Sequence, residues 1–178
     1  MKKQFIQKLA ITGLLVGFSY FGISQNVNIQ DLNSSNTWLK VGLNTGVPIA
    51  KTNNSSSFTL GLDVSAQFIR TTVFGIGLKT GYINYFGKDN NDDFGMIPLA
   101  VMFRYYPQTS GLFMGLELGY AYVNNLSGLE GGAFVRPSIG YHNDYWNIFG
   151  YYDRVIGNDI VDDIQTIGLG VTYNIYFK

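Results

Sequence analysis

The sequence predicts an all-β fold, an eight-stranded antiparallel up-and-down transmembrane β-barrel. Three observations carry that prediction. From Trp38 onward apolar residues recur at a period of two, and helical spacing is absent. The connections between the strands alternate between long and short. Charge is scarce: Asp, Glu, Lys and Arg make up 13% of the 178 residues, roughly half the usual share of a soluble domain, and none falls on the apolar face.

The elements follow in order. Trp38–Val47 sets Leu39, Val41, Leu43 and Val47 against Lys40, Gly42, Asn44 and Gly46. Phe58–Phe68 alternates Leu60, Leu62, Val64 and Ala66 with Gly61, Asp63, Ser65 and Gln67. Val73–Asn84 opposes Phe74, Ile76, Leu78 and Tyr82 to Gly75, Gly77, Lys79 and Gly81. In Met96–Tyr106 the apolar set is Ile97, Leu99, Val101, Phe103 and Tyr105, with Ala100, Met102 and Arg104 between. Leu112–Val123 carries Leu112, Met114, Leu116, Leu118, Tyr120 and Tyr122 against Gly115, Glu117 and Gly119. Gly132–His142 carries Ala133, Val135, Ile139 and Tyr141 against Arg136, Ser138 and Gly140. Tyr145–Asp153 gives Trp146, Ile148 and Tyr152 against Asn147, Phe149, Tyr151 and Asp153. Gln165–Phe177 closes the series with Ile167, Leu169, Val171, Tyr173, Ile175 and Phe177 against Thr166, Gly168, Gly170, Thr172 and Asn174.

Long connections at 48–57, 85–95, 124–131 and 154–164 alternate with short ones at 69–72, 107–110 and 143–144. That is the layout of a barrel with turns on one membrane side and loops on the other. A soluble barrel with the same alternation turned inside out is excluded by volume. The interior of eight strands is barely wide enough for its own side chains, and about five large apolar residues per strand cannot fit there. The other face, rich in Gly, Ser and Thr, suits a crowded lumen.

Aromatic residues cluster at two heights on the apolar face. Phe68, Phe74, Tyr105, Tyr141, Trp146 and Phe177 lie near the short turns; Tyr82, Tyr120, Tyr122 and Tyr152 lie toward the long loops. Two such girdles mark the depths at which amphipathic rings meet lipid headgroups.

Before the strands, Lys2, Lys3 and Lys8 precede an apolar run from Leu9 to Phe21, followed by small Gly22 and Ser24. This reads as an export signal over 1–24 that is removed, followed by a polar periplasmic lead-in over 25–37 and the barrel over 38–178. Without those lysines nine basic residues face 12 acidic ones, so no basic excess favours nucleic acid. The chain has no Cys, which excludes disulfides, thiolate metal sites and thiol nucleophiles.

The closing stretch Gly168-Leu169-Gly170-Val171-Thr172-Tyr173-Asn174-Ile175-Tyr176-Phe177 is alternating and aromatic-ended. With the strand layout, it resembles the small eight-stranded outer-membrane barrels typified by the OmpA membrane domain and OmpX. The resemblance covers Trp38 to Lys178, although family members usually end on the aromatic itself. It implies residence in a Gram-negative outer membrane, with periplasmic termini and extracellular long loops. It also implies that Tyr173, Ile175 and Phe177 form the signal read by barrel-assembly machinery. Outer-membrane lipid and lipopolysaccharide are the implied surroundings, and an envelope protein the possible partner of the loops.

Charged residues on the polar face are Lys40, Asp63, Lys79, Arg104, Glu117, Arg136 and Asp153. Counting from the turns, Asp63 levels with Lys79 and Glu117 with Arg136. With Arg104 these form an expected lumen ion-pair network, and the lumen is expected to be plugged by polar and charged side chains. A narrow pore is the competing reading. A lipid A-modifying enzyme is another, resting on His142, the lone histidine. Its nearest same-face hydroxyl, Ser138, sits about 13 Å along the strand, too far for a catalytic pair, and His142 reads instead as a turn residue in polar surroundings. Asp89, Asp92, Asp93, Asp159, Asp162 and Asp163 cluster in two long loops without EF-hand spacing. No catalytic residue, cofactor or metal is called for. Pro98 and Pro137 interrupt strands and predict a bulge or a break in pairing.

Overall fold

In the computed structural model the described residues are 38–176, excepting 71, 72, 109, 159 and 160. The export signal, the lead-in, Phe177 and Lys178 lie outside them. Eight strands form one closed antiparallel barrel in sequence order: β1 (Trp38–Pro48), β2 (Ser56–Arg70), β3 (Phe74–Gly87), β4 (Phe94–Tyr105), β5 (Gly111–Asn124), β6 (Gly131–His142), β7 (Trp146–Val155) and β8 (Ile164–Tyr176). β1 closes on β8, from Trp38 opposite Tyr176 to Pro48 opposite Thr166. A short 3-10 turn (Ala50–Asn54) occupies the first long loop.

The apolar set points outward on every strand. Leu43, Leu62, Leu78, Leu99, Leu118, Ile139, Ile148 and Leu169 are all exposed, while Lys40, Asp63, Lys79, Glu117, Arg136 and Asp153 are buried inside. The arrangement is the inverse of a soluble protein, and it follows from the pleat: consecutive residues face opposite sides.

Several strands run further toward the long loops than their alternation indicates. β2 begins at Ser56, β3 continues to Gly87, β4 begins at Phe94 and β7 continues to Val155. At that end the inward positions become apolar too, with Ile83, Tyr85, Phe94, Met96, Val123 and Val155 buried together. Where both faces are apolar, a period of two cannot be read. The loops shrink accordingly, to 49–55, 88–93, 125–130 and 156–163.

Neither strand proline makes a bulge. Pro98 pairs in register with Ala121 of β5, but the β3–β4 ladder is interrupted between Thr80–Leu99 and Ile83–Met96. Pro137 likewise pairs with Leu116, while the β6–β7 ladder is interrupted between Val135–Arg154 and Ser138–Tyr151. Each proline lacks the N–H that one neighbour needs, and the register resumes unshifted. The register shifts that do occur lie in β2–β3, between Ser56 and Phe58 and between Gln67 and Ile69.

β7 sends two large rings inward, and glycine makes room for them. Phe149 lies opposite Gly170 and Tyr151 opposite Gly168. A methyl group on Gly170 would stand 2.5 Å from the Phe149 ring, and one on Gly168 would collide with Tyr151. The small residues of the lumen face are therefore the negative image of its large ones.

Candidate functional site

The interior is layered along the barrel axis. At the long-loop end lies the apolar cluster just described, joined by Leu129, Phe134 and Ile164. The lumen is therefore not polar throughout, as its sequence led one to expect; its loop end is lined by hydrocarbon.

Below that cap sits a compact ionic cluster. Lys79 Nζ lies 3.2 Å from Asp63 Oδ2 and 3.0 Å from Glu117 Oε2. Arg136 reaches Asp63 at 3.3 Å and Glu117 at 3.8 Å. Its Nε and Nη2 both donate to Asp153, the second at 2.6 Å, in a two-pronged fork. The guanidinium also stacks on Tyr151, 4.3 Å from the ring centroid. Lys79, Asp63, Glu117 and Arg136 thus meet as one group, and Asp153 joins them. That last contact follows from the β6–β7 register, which sets Val135 opposite Arg154 and so brings Arg136 level with Asp153.

Arg104 is not part of the group. It faces the lumen, but no ion pair involves it among the described residues. The register explains why: Arg104 lies opposite Gly75 and Gly115, four residues along β4 from Ala100, which is level with Lys79. Arg104 instead donates to Asn147 Oδ1 at 3.2 Å and lies over the rings of Phe113 and Phe149, at 4.7 and 5.8 Å. Lys40 occupies the same layer, donating to Tyr106 Oη at 3.3 Å and to Asn147 Oδ1 at 3.4 Å.

His142 lies at the short-turn end. Its ring is buried against Tyr106 and Phe113, with centroids 4.7 and 6.0 Å away, and Nε2 lies 3.3 Å from the Gln108 carbonyl. The surroundings are aromatic rather than polar, because His142 continues the inward parity of β6. The Ser110 hydroxyl donates to the backbone carbonyl of His142 at 3.3 Å, not to its ring.

On the outer surface Phe68, Phe74, Tyr82, Tyr120, Tyr122, Tyr141 and Trp146 are exposed, and Tyr105 and Tyr152 half-buried. Tyr173 and Ile175 are exposed on the outer face of β8. Phe177, read as a member of both the girdle and the assembly signal, lies outside the described residues.

The long loops share a device that reading by composition overlooked. Gly87-Lys88-Asp89-Asn90-Asn91-Asp92-Asp93 and Gly157-Asn158-Asp159-Ile160-Val161-Asp162-Asp163 have one pattern, with Gly first, Asp third, and Asp at the last two places. In each, the last carboxylate accepts the N–H of the first glycine: Gly87 to Asp93 at 2.8 Å and Gly157 to Asp163 at 2.9 Å. Arg154 Nη2 lies 2.5 Å from Asp163. The acidic clusters are therefore loop latches in part.

The Gly157 N–H bond, followed by the Arg154 hydrogen bond, holds the Asp163 carboxyl below its ordinary range. A lowered folded pKa contributes stability that is present above the unfolded value, near ~3.9, and lost as pH falls through the folded one. The Gly157 amide resonance is thus expected to titrate with a midpoint below ~3.9, and a midpoint at or above it would disprove the latch.

No family model and no curated protein matches this sequence. Solved structures do match its shape. The attachment invasion locus protein Ail of Yersinia pestis, in complex with the heparin analogue sucrose octasulfate, superposes with a TM-score of 0.50 at 12% identity, covering 78% of this chain and 97% of that one. A structure from the de novo design of transmembrane β-barrels superposes with a TM-score of 0.49 at 13% identity, covering 78% and 95%. The fold is that of the small eight-stranded outer-membrane barrels.

Proposed function

We propose that the chain is a non-enzymatic, integral barrel of the bacterial outer membrane, with a solid interior and four loops that serve as an interaction surface. One observation carries this reading: apolar side chains ring the whole outer surface while the ionisable side chains of the strand midsections are turned inward and mutually paired. Such a surface is stable only in hydrocarbon, where outward charge is costly. The apolar cap, the ionic cluster and the His142–Tyr106–Phe113 floor support the reading of a solid interior. The termini then face the periplasm and the latched loops face outward.

The loop end also bears on the partner. Around it stand Lys51, Lys88 and Arg154 against Asp89, Asp92, Asp93, Glu130, Asp162 and Asp163. Ail was solved with a sulfated sugar; the acidic rim here is the wrong sign for a polyanion and suits a basic envelope protein, or lipopolysaccharide phosphate bridged by divalent cations.

The test is native purification after gentle detergent extraction of outer membranes, followed by planar-bilayer recording. The protein is expected to resist salt washing, to require detergent for release, and to give no sustained conductance steps. Release by salt alone would overturn the membrane assignment, and stable steps would overturn the solid interior.

A further inference from the structure

A cavity of about 520 Å³ lies at the barrel mouth between the first long loop and the last, within the size range of ligand pockets. Its walls are tied. The Ile49 N–H donates to the Gln165 carbonyl at 2.9 Å, and the Gln165 N–H to Thr52 Oγ1 at 2.9 Å. Thr52 Oγ1 donates in turn to the Asp163 carbonyl at 3.3 Å. Within the last loop Asn158 Oδ1 accepts the Val161 N–H at 2.8 Å, and Asn158 Nδ2 reaches across to the Gly128 carbonyl, also at 2.8 Å. The Asp163 carboxylate is committed to Gly157 and Arg154. A site held in this way is preorganised, so little ordering opposes an entering group.

One contact at the cavity is of a different kind. Lys51 Nζ meets Asp162 Oδ1 at 2.9 Å, yet the two side chains are 70% and 61% exposed. An ion pair so open to water is weakly held and readily exchanged. Lys51 is also a point charge, set against one oxygen of the carboxylate. A planar guanidinium takes both oxygens of a carboxylate in parallel.

The rest of the lining selects among entering groups. Ala50 and Val161 are apolar, and Asn158 and Gln165 are neutral and polar. Arg154 already balances Asp163, so the attraction comes from the surrounding rim, where six carboxylates outnumber three cations. That field repels anions. An apolar group would strip water from Asp162 and Gln165 without replacing it. A hydrocarbon stem with a cationic head satisfies both parts, the stem along Ala50 and Val161 and the head at the carboxylate.

We propose that this cavity receives an arginine side chain of a partner protein, whose guanidinium displaces Lys51 from Asp162. The proposal rests on the reading of the loops as an interaction surface, and names the place where a basic partner anchors.

The probe is N-acetylarginine methylamide, titrated at constant ionic strength into the detergent-folded barrel and followed by backbone amide resonances. The amides of Lys51, Gly157, Val161 and Gln165 are expected to shift saturably. The neutral citrulline analogue, matched in shape, is expected to move none of them. Asp162→Asn is expected to abolish binding. Lys51→Ala removes the competitor and is expected to tighten binding by up to about fivefold, the most that an exposed pair holds back. Lys88→Ala, the same change of charge on another loop, is expected to tighten it less. The proposal is overturned by the absence of a saturable shift, an equal response to citrulline, unchanged binding in Asp162→Asn, or equal effects of the two lysine variants. Saturable shifts with magnesium and inorganic phosphate, but none with the arginine probe, would overturn it in favour of bridged phosphate. The membrane assignment and the solid interior stand or fall separately, on salt washing and conductance.

Discussion

Replacing Arg136 by Met is expected to cost about 3–5 kcal/mol of unfolding free energy, because removing one partner leaves buried charges without compensation. The guanidinium is completely buried and reaches three carboxylates: Asp63, Glu117 and Asp153. Without it, Lys79 alone must balance all three. The measurement is equilibrium urea unfolding of the barrel folded into lipid vesicles, with Lys51→Ala as reference. Lys51 and Asp162 also pair, at 2.9 Å, but both side chains are more than half exposed, and such pairs contribute ~0–1 kcal/mol. A loss for Arg136→Met no larger than that of Lys51→Ala would show that the cluster does not hold the barrel together.

The second large effect belongs to the outer face. Leu118 lies midway along β5, exposed, opposite Val101 and Val135 on the neighbouring strands. Leu118→Arg is expected to destabilise the barrel by about 2–4 kcal/mol in a bilayer, the cost of a cation near mid-membrane. Ile156, just past the end of β7, is similarly exposed, and Ile156→Arg should change stability by less than ~1 kcal/mol. The contrast is the informative quantity, because a soluble exterior would tolerate both changes alike. Equal, small effects at the two positions would refute burial in lipid.

Much of the architecture was legible because a closed barrel with one lipid-facing side imposes a strict period of two. Leu60, Leu62 and Val64 could not be misplaced without moving Asp63 outward. Legibility failed where the two faces converge in character: the ends of β3 and β4 carry Ile83, Tyr85, Phe94 and Met96 inward, and alternation vanishes there. The ionic cluster was half legible. Counting from turns levels Glu117 with Arg136, which the register pairs directly, and sets Asp63 beside Lys79 with an offset of two. The same counting sets Arg104 apart, three residues from the turn at 107–110 where Glu117 stands seven from it; grouping the lumen charges by parity alone overlooked that depth. The loop latches were invisible to composition, which registers acidity but not which carboxylate turns back to a glycine N–H. His142 was misjudged in the same way, since nearness to a turn says little about whether a side chain points under the floor.

The ladder gap beside Pro137 has a mechanical consequence. Where β6 and β7 miss backbone bonds, between Val135–Arg154 and Ser138–Tyr151, the forked contact of Arg136 with Asp153 spans the same two strands. A side-chain rivet replaces stitches that proline has unpicked. The wall of the cylinder should therefore unzip first along this seam once the rivet is drawn, and amides of β6 and β7 should exchange with solvent ahead of those in β1 and β8.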